Sequence, residues 1–270
     1  MPAREGFSLS TDQIRQAALD LDFARIERLE MEQLSRRYPG LNLNDAYAIQ
    51  DEGVNLRLAQ KEKIIGLKMG LTSASKMKQM GVNSPIYGML LDTMQVPDQG
   101  IFSLERGRGI HPWIEPEIGF FIAQDLRGKI SMDTALAACS GVYAALEIVD
   151  SRYSDFKFSL PDVIADNCSS CAFVLGPWAK IDGQKTIKKM PLTLFVNGEA
   201  VETGSSDDIF GNPARALAEL CAMLDSRGLY LKKGSMVLAG AATRAVPIEP
   251  GSRVEVFVQG LGRASVLISA

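Results

Sequence analysis

The chain has 270 residues, 46% apolar and 23% charged, with 29 basic against 32 acidic side chains and a formal net charge of −3. That is ample material for one large domain, or a core with a smaller attachment, without disulfides or structural metal. The acidic balance argues against a nucleic-acid protein, and no apolar run approaches the roughly 20 residues of a membrane span.

The first residues, Met1-Pro2-Ala3-Arg4-Glu5, carry no apolar signal core, and four cysteines make no disulfide scaffold at this size. A soluble, cytoplasmic protein is therefore expected. Residues 10–37 read as helix: Ser10 or Thr11 can cap it, Ile14, Ala17, Ala18 and Leu21 fall at helical spacing, and Tyr38-Pro39-Gly40 stops it. A second helix is expected from about Asn44 to Lys61, with Ala46, Ile49, Val54 and Leu58 on one face and Asp45 near its start. Residues 1–62 thus form a helical N-terminal part.

From residue 63 the pattern changes, and residues 63–270 read as a strand-rich core. Ile64-Ile-Gly-Leu-Lys-Met69 is a buried-strand run, and Ala74 to Met80 reads as a short helix closing at Gly81. Strands are expected at 114–122, 141–149, 171–175, 192–196, 236–239, 253–258 and 264–268, with helices at 133–139 and 212–227 between them. Asn197-Gly198 marks a hairpin turn. No βαβαβ alternation and no G-x-G-x-x-G opening a helix are found, which argues against a doubly wound nucleotide fold. The fold class expected is α+β.

Chemistry concentrates in a few places. If Ile114-Glu115-Pro116-Glu117-Ile118 is a strand, Glu115 and Glu117 share one face. Two carboxylates so placed repel unless a cation or proton lies between them; the plainer alternative is the solvated face of an edge strand, which Pro116 suits. Glu147 shifts that balance, because it interrupts the otherwise apolar run Val142–Val149 and is too costly to bury charged and alone. Three carboxylates on neighbouring strands would supply hard oxygen ligands for Mg2+ or Mn2+, and zinc is disfavoured. Lys68 poses the same problem with opposite sign: an acid, base or orienting group, or else the structural partner of Glu147 or a nearby aspartate. The polar stretch 150–170 reads as a loop suited to a small anionic substrate. Cys168 and Cys171 have C-x-x-C spacing, but no second pair exists and the single His111 is far off, so the motif is set aside.

Taken together, Gly66-Leu-Lys-Met-Gly-Leu-Thr-Ser73, Met80-Gly-Val-Asn-Ser-Pro-Ile-Tyr-Gly88, His111-Pro-Trp-Ile-Glu-Pro-Glu-Ile118, Ala145-Leu-Glu-Ile-Val-Asp-Ser-Arg152 and Phe158-Ser-Leu-Pro-Asp-Val-Ile-Ala-Asp-Asn167 resemble the hydratase/decarboxylase family of aromatic meta-cleavage pathways, over roughly residues 40–268. The resemblance implies a mixed β-roll or sandwich core of the fumarylacetoacetate hydrolase fold group, a Mg2+ or Mn2+ cofactor and homo-oligomers. It implies Glu115, Glu117 and Glu147 as metal ligands, Lys68 as the active-site lysine and Ser169 as a substrate-contacting hydroxyl. Asp166 is carried over as a catalytic candidate and Thr243 as a substrate-binding one. The wording around Lys76-Met-Lys-Gln-Met80 and Pro85-Ile-Tyr-Gly88 is nearer the decarboxylase branch, which implies decarboxylation of 2-oxo-3-hexenedioate; the alternative is water addition by the hydratase branch. A complex with the sister hydratase would fit the resemblance, and neither nucleic acid nor membrane is expected as a partner. The two cysteines stand where small residues are expected, and Arg106-Gly-Arg-Gly109 has no reading.

Overall fold

The computed structural model describes residues 6–73, 77, 84–105, 109–180 and 187–270. The helix expected over Ala74–Met80 with its Gly81 cap lies outside them, except for Met77, which is helical. Much of the Met80–Gly88 motif and Arg106-Gly-Arg108 also lie outside the described residues.

Helices α1 (Thr11–Glu27), α2 (Leu34–Arg37) and α3 (Leu43–Ala59) come first. α1 opens on a reciprocal cap: the Gln13 N–H donates to Ser10 Oγ at 3.3 Å and the Ser10 N–H donates to Gln13 Oε1 at 2.9 Å. The single helix expected over 10–37 is in fact broken. Arg28 is left-handed at φ 57°, and the chain drops so that the Met31 N–H donates to the Arg152 carbonyl at 2.8 Å. No glycine or proline marks the break, because a distant contact causes it. α3 starts after Asn42, whose side chain takes the N–H groups of Asn44 and Asp45. Asp45 is fully buried and in turn accepts from the N–H groups of Ser8 and Leu9, which fixes the N-terminal segment.

The remaining elements are β1 (Ile64–Gly70), β2 (Ile86–Leu91), β3 (Gln95–Val96), β4 (Gly100–Ser103), β5 (Trp113–Ile122), α4 (Met132–Ala137), β6 (Cys139–Val149), α5 (Leu160–Ala165), β7 (Ser170–Leu175), β8 (Ala179–Lys180), β9 (Pro191–Val196), β10 (Glu199–Ser205), α6 (Pro213–Ser226), β11 (Met236–Ala241), β12 (Val246–Pro247), β13 (Arg253–Val258) and β14 (Gly262–Ser269). Among the described residues they build two sheets, a mixed α+β architecture. The larger has nine strands along the path β2-β1-β11-β5-β6-β7-β3, with β12 on β5 and β8 on β6; the smaller runs β10-β9-β13-β14-β4. β9 and β10 form the expected hairpin, with Asn197 and Gly198 at φ 53° and 86°, the doubly positive pair of a type I′ turn.

The inner faces meet in one core, where Ile118, Phe120, Val142, Ala144 and Leu146 of the large sheet join Val254, Val256 and Val266 of the small one and Leu217, Leu220 and Leu224 of α6. A second cluster packs α1 and α3 on Ile86, Tyr153, Val163 and Ile164. The stretch 150–170, expected as loop, therefore contains a short helix, α5, whose Asp162 is buried and takes hydrogen bonds from Ser35 and Ser159.

The edge-strand alternative for Pro116 is overturned, since β5 lies inside the sheet between β11 and β6. Its missing N–H falls at an irregularity of the ladder, where the β11·β5 register shifts between Leu238 and Ala241. The large sheet also curls. Lys68 of β1 and Glu147 of β6 are separated by β11 and β5, which in a flat sheet would put their backbones about 14 Å apart. Their side chains nevertheless meet at 2.9 Å.

At the curl a strand must lie close to its neighbour. A Cβ on Gly66 would sit 2.3 Å from the carbonyl oxygen of Met236, its register partner in β11. Gly66→Ala is expected to lower stability by about 1–3 kcal/mol, read as a lower Tm. Gly53→Ala, in α3 with open space around it, should instead raise stability by about 0.5–1 kcal/mol.

Candidate metal centre

Strand alternation and register together assemble the cluster. Glu115 and Glu117 are two apart on β5 and share a face, and Glu147 on the antiparallel β6 is the direct register partner of Glu115. One carboxylate oxygen from each of the three lies within 4.8 Å of the others. Glu117 and Glu147 are wholly buried and Glu115 is half-buried.

Lys68, 3% exposed, answers part of this charge through Nζ to Glu147 Oε2 at 2.9 Å. Burial alone lowers an amine's pKa, but the Glu147 carboxylate, with Glu115 and Glu117 behind it, reverses the sign and holds Lys68 above its ordinary value. Glu117 is held well above the carboxylate range, first by burial and then by the charges of Glu147 and Glu115, with Lys68 and the Gly240 N–H opposing. That N–H donates to Glu117 Oε2 at 2.7 Å. The irregularity in β11 turns it out of the ladder and toward the side chain. Gly240 has φ +105°, and a Cβ there would lie 2.1 Å from Thr72 Oγ1, so only glycine fits.

The residues fit a divalent cation. Glu117 Oε1 is buried with no hydrogen-bond donor among the described residues, three carboxylates face one amine, and every donor of the cluster is hard oxygen. The thiols do not compete for this role. Burial pushes Cys168 and Cys171 up to about 12, and Cys168 Sγ donates to the Tyr87 carbonyl at 3.0 Å.

The other expected site residues are distributed around the cluster. Ser169 is 4% exposed and its hydroxyl has no partner among the described residues. The next residue, Ser170, was not singled out; its Oγ lies 3.5 Å from Glu147 Oε1, and it also lines a cavity of about 840 Å3 beside Arg152, Cys171 and Ala172. Asp166 is engaged elsewhere. Its carboxylate forms a buried ion pair with the Arg152 guanidinium and accepts the Arg152 N–H at 3.1 Å. Burial, only partly offset by Arg152, lifts Asp166 to about 6. Thr243 donates to the Arg244 carbonyl at 2.8 Å and makes no hydrogen bond to the carboxylates; its link to the site is through the backbone, two residues after Ala241, which pairs with Glu117. Sequence reasoning also passed over Gly240 and Arg152. No sequence signal points to Gly240, whose part depends on the register of β11.

The family described as fumarylacetoacetate (FAA) hydrolase C-terminal matches residues 74–268. A 4-oxalocrotonate decarboxylase of Pseudomonas sp. (strain CF600) is 38% identical over 255 residues, covering 94% of this chain and 96% of the relative. A 2-hydroxyhexa-2,4-dienoate hydratase of Comamonas testosteroni is 32% identical, covering 86% and 89%. The solved structure of 4-oxalocrotonate decarboxylase from Pseudomonas putida G7, complexed with magnesium and adipate, superposes with a TM-score of 0.94 at 35% identity, covering 97% of this chain and 99% of that one.

Two variants test these assignments. Burial and its acidic neighbours already hold Glu117 toward the neutral form, so Glu117→Gln should leave the metal-free protein at least as heat-stable as wild type while abolishing the rise in Tm on adding Mn2+. Asp166→Asn strands the Arg152 charge and should cost about 3–5 kcal/mol by chemical denaturation. An Asp166→Asn protein of normal stability but no activity would instead place Asp166 in the reaction itself.

Proposed function

The chain belongs to the fumarylacetoacetate hydrolase family, and from that premise we propose that it decarboxylates 2-oxo-3-hexenedioate to 2-hydroxypenta-2,4-dienoate in aromatic meta-cleavage catabolism, using Mg2+ or Mn2+. The observation that carries the proposal is the trio Glu115, Glu117 and Glu147 facing the buried Lys68, in a chain that matches a decarboxylase over 94% of its length.

In that substrate the departing carboxylate is carried on C5, and the C3=C4 double bond links that carbon to the 2-oxo group. When the bond to the departing carbon breaks, its electron pair runs toward the 2-oxo oxygen. Glu115, Glu117 and Glu147 would hold a divalent ion, which would supply Lewis acidity for the negative charge that develops on the substrate. Lys68, held charged, can pair with a substrate carboxylate or give up a proton at Nζ. The hydroxyl of Ser169, already desolvated and without a partner among the described residues, can donate to a substrate oxygen at little further cost. The burial of Glu117 and Glu147 keeps bulk water from these charges.

Asp166 acts in this reading by fixing Arg152, and Thr243, two residues after the Glu117 partner Ala241, by binding substrate. The protein assembles as a homo-oligomer and pairs with the hydratase that consumes its product. The exposed row Leu19, Phe23 and Ile26 on α1, at helical spacing, supports self-association. The hydratase reading, favoured by relatives of that name at 32–34% identity, uses the same cluster to add water.

One assay separates the two. With Mg2+, purified protein is expected to release CO2 from 2-oxo-3-hexenedioate and to form no 4-hydroxy-2-oxopentanoate from 2-hydroxypenta-2,4-dienoate; the opposite pair of results makes it the hydratase. EDTA should silence the reaction and Mg2+ or Mn2+ restore it, whereas activity indifferent to both would sink the metal assignment.

A further inference from the structure

Between Asp166 and Ser170 the backbone adopts a form rare for L-residues. Asn167, Cys168 and Ser169 follow one another at φ 47°, 54° and 58°, three successive left-handed residues, none of them glycine. Such a turn persists only where its surroundings hold it, and the contacts are specific. Asn167 Oδ1 accepts the Met89 N–H at 2.8 Å, and Asn167 Nδ2 donates to the Met89 carbonyl at 2.9 Å. This is the two-bond exchange of an antiparallel pair, made by a side chain where no ladder joins β2 to β7. Next along the turn, Cys168 Sγ donates to the Tyr87 carbonyl, which Gln50 Nε2 also reaches at 3.0 Å. At the far end the Asp150 N–H donates to the Ser169 carbonyl at 2.8 Å.

Gly88 allows the approach, since a Cβ there would lie 2.6 Å from the Asn167 carbonyl oxygen. Gly88 is also the register partner of Lys68. The amide of Asn167 therefore docks one residue from the point opposite Lys68. Two and three residues further on stand the buried hydroxyl of Ser169, without a partner among the described residues, and the Ser170 Oγ that faces Glu147.

We propose that Asn167 is a positioning residue for the reaction: its side-chain amide clamps the left-handed turn to β2 and thereby sets the spacing between Lys68 on one wall of the roll and Ser169 with Glu147 on the other. The inference rests on the site reading given above. Because the Asn167 amide makes both its hydrogen bonds to Met89, the clamp governs how a substrate is held between the walls and leaves the hold on the cation alone.

The test uses Asn167→Ala and Asn167→Gly, with four measurements: hydrogen exchange over residues 86–91, Mn2+ affinity by titration, affinity for adipate in the presence of Mn2+, and kcat and KM with 2-oxo-3-hexenedioate. Glycine accepts the positive φ without strain, so Asn167→Gly loses the clamp while sparing the turn, and it decides the matter if the alanine variant does not fold. The expected result is faster exchange at Met89, Mn2+ affinity within about threefold of wild type, and adipate affinity and kcat lowered together by about tenfold or more. Unchanged exchange, unchanged adipate affinity and kcat, or a loss of Mn2+ affinity in step with kcat would each overturn the proposal. A wild-type protein that releases no CO2 counts against the decarboxylase reading alone, because exchange and the two titrations still report on the clamp.

Discussion

Two wholly buried carboxylates, a half-buried third and one buried amine meet in one place, and this imbalance of charge is the constraint around which the molecule is organised. Burying one unpaired carboxylate is already unfavourable by several kcal/mol at roughly protein-interior polarity. Here Lys68 offsets Glu147, a backbone N–H from Gly240 offsets part of Glu117, and one oxygen of Glu117 is left with no donor among the described residues. Hydrogen bonds alone do not close this deficit. A divalent cation would, and the donors are the hard oxygens such an ion prefers.

The sheet accomplishes the assembly in two steps. Antiparallel register sets Glu115 opposite Glu147, a local result fixed once β5 and β6 pair. Bringing Lys68 to the same place is not local, since it requires the sheet to curl until a strand three positions away faces inward across the roll. The irregularity of β11 near Pro116 supports both steps. It tolerates the proline in an interior strand, and it frees the Gly240 N–H to turn toward Glu117. The roll then meets the 167–169 turn through side chains, and α1 and α3 pack behind that junction on Ile164 and Cys168.

Legibility in the sequence followed the range of the interaction. Alternation within a strand is local, so Glu115 and Glu117 could be paired on one face, and the burial of Glu147 and Lys68 followed from their apolar neighbours. The Asn197-Gly198 turn is legible for the same reason. The helix break at Arg28 was not, because the residues there favour helix and only the bond from Met31 to Arg152 opposes it. Pro116 pointed to an edge, since a ladder irregularity in a strand more than a hundred residues away leaves no local trace. Helix α5 was hidden by the polarity of its stretch, although Ser159 and Asp162 carry a capping pattern that announces it. The Asp166 ion pair was hidden for a related reason: its partner Arg152 lies on the far side of that helix in sequence.

The same charge accounting bears on how one family accommodates both decarboxylases and hydratases. Among the described residues the buried cations are Lys68 and Arg152, and Arg152 is already matched by Asp166. A dicarboxylate brings one more negative charge than a monocarboxylate, and among the described residues Lys68 is the buried cation beside the cluster that could answer it. Lys68 is engaged by Glu147 at 2.9 Å, so a second counter-charge on Glu147 would leave the lysine freer to meet a substrate carboxylate. On that argument the trio is common to both chemistries. Discrimination between them then falls to the groups that set where Lys68 and Ser169 stand relative to each other, which places the weight of specificity on the closure of the roll rather than on the metal ligands.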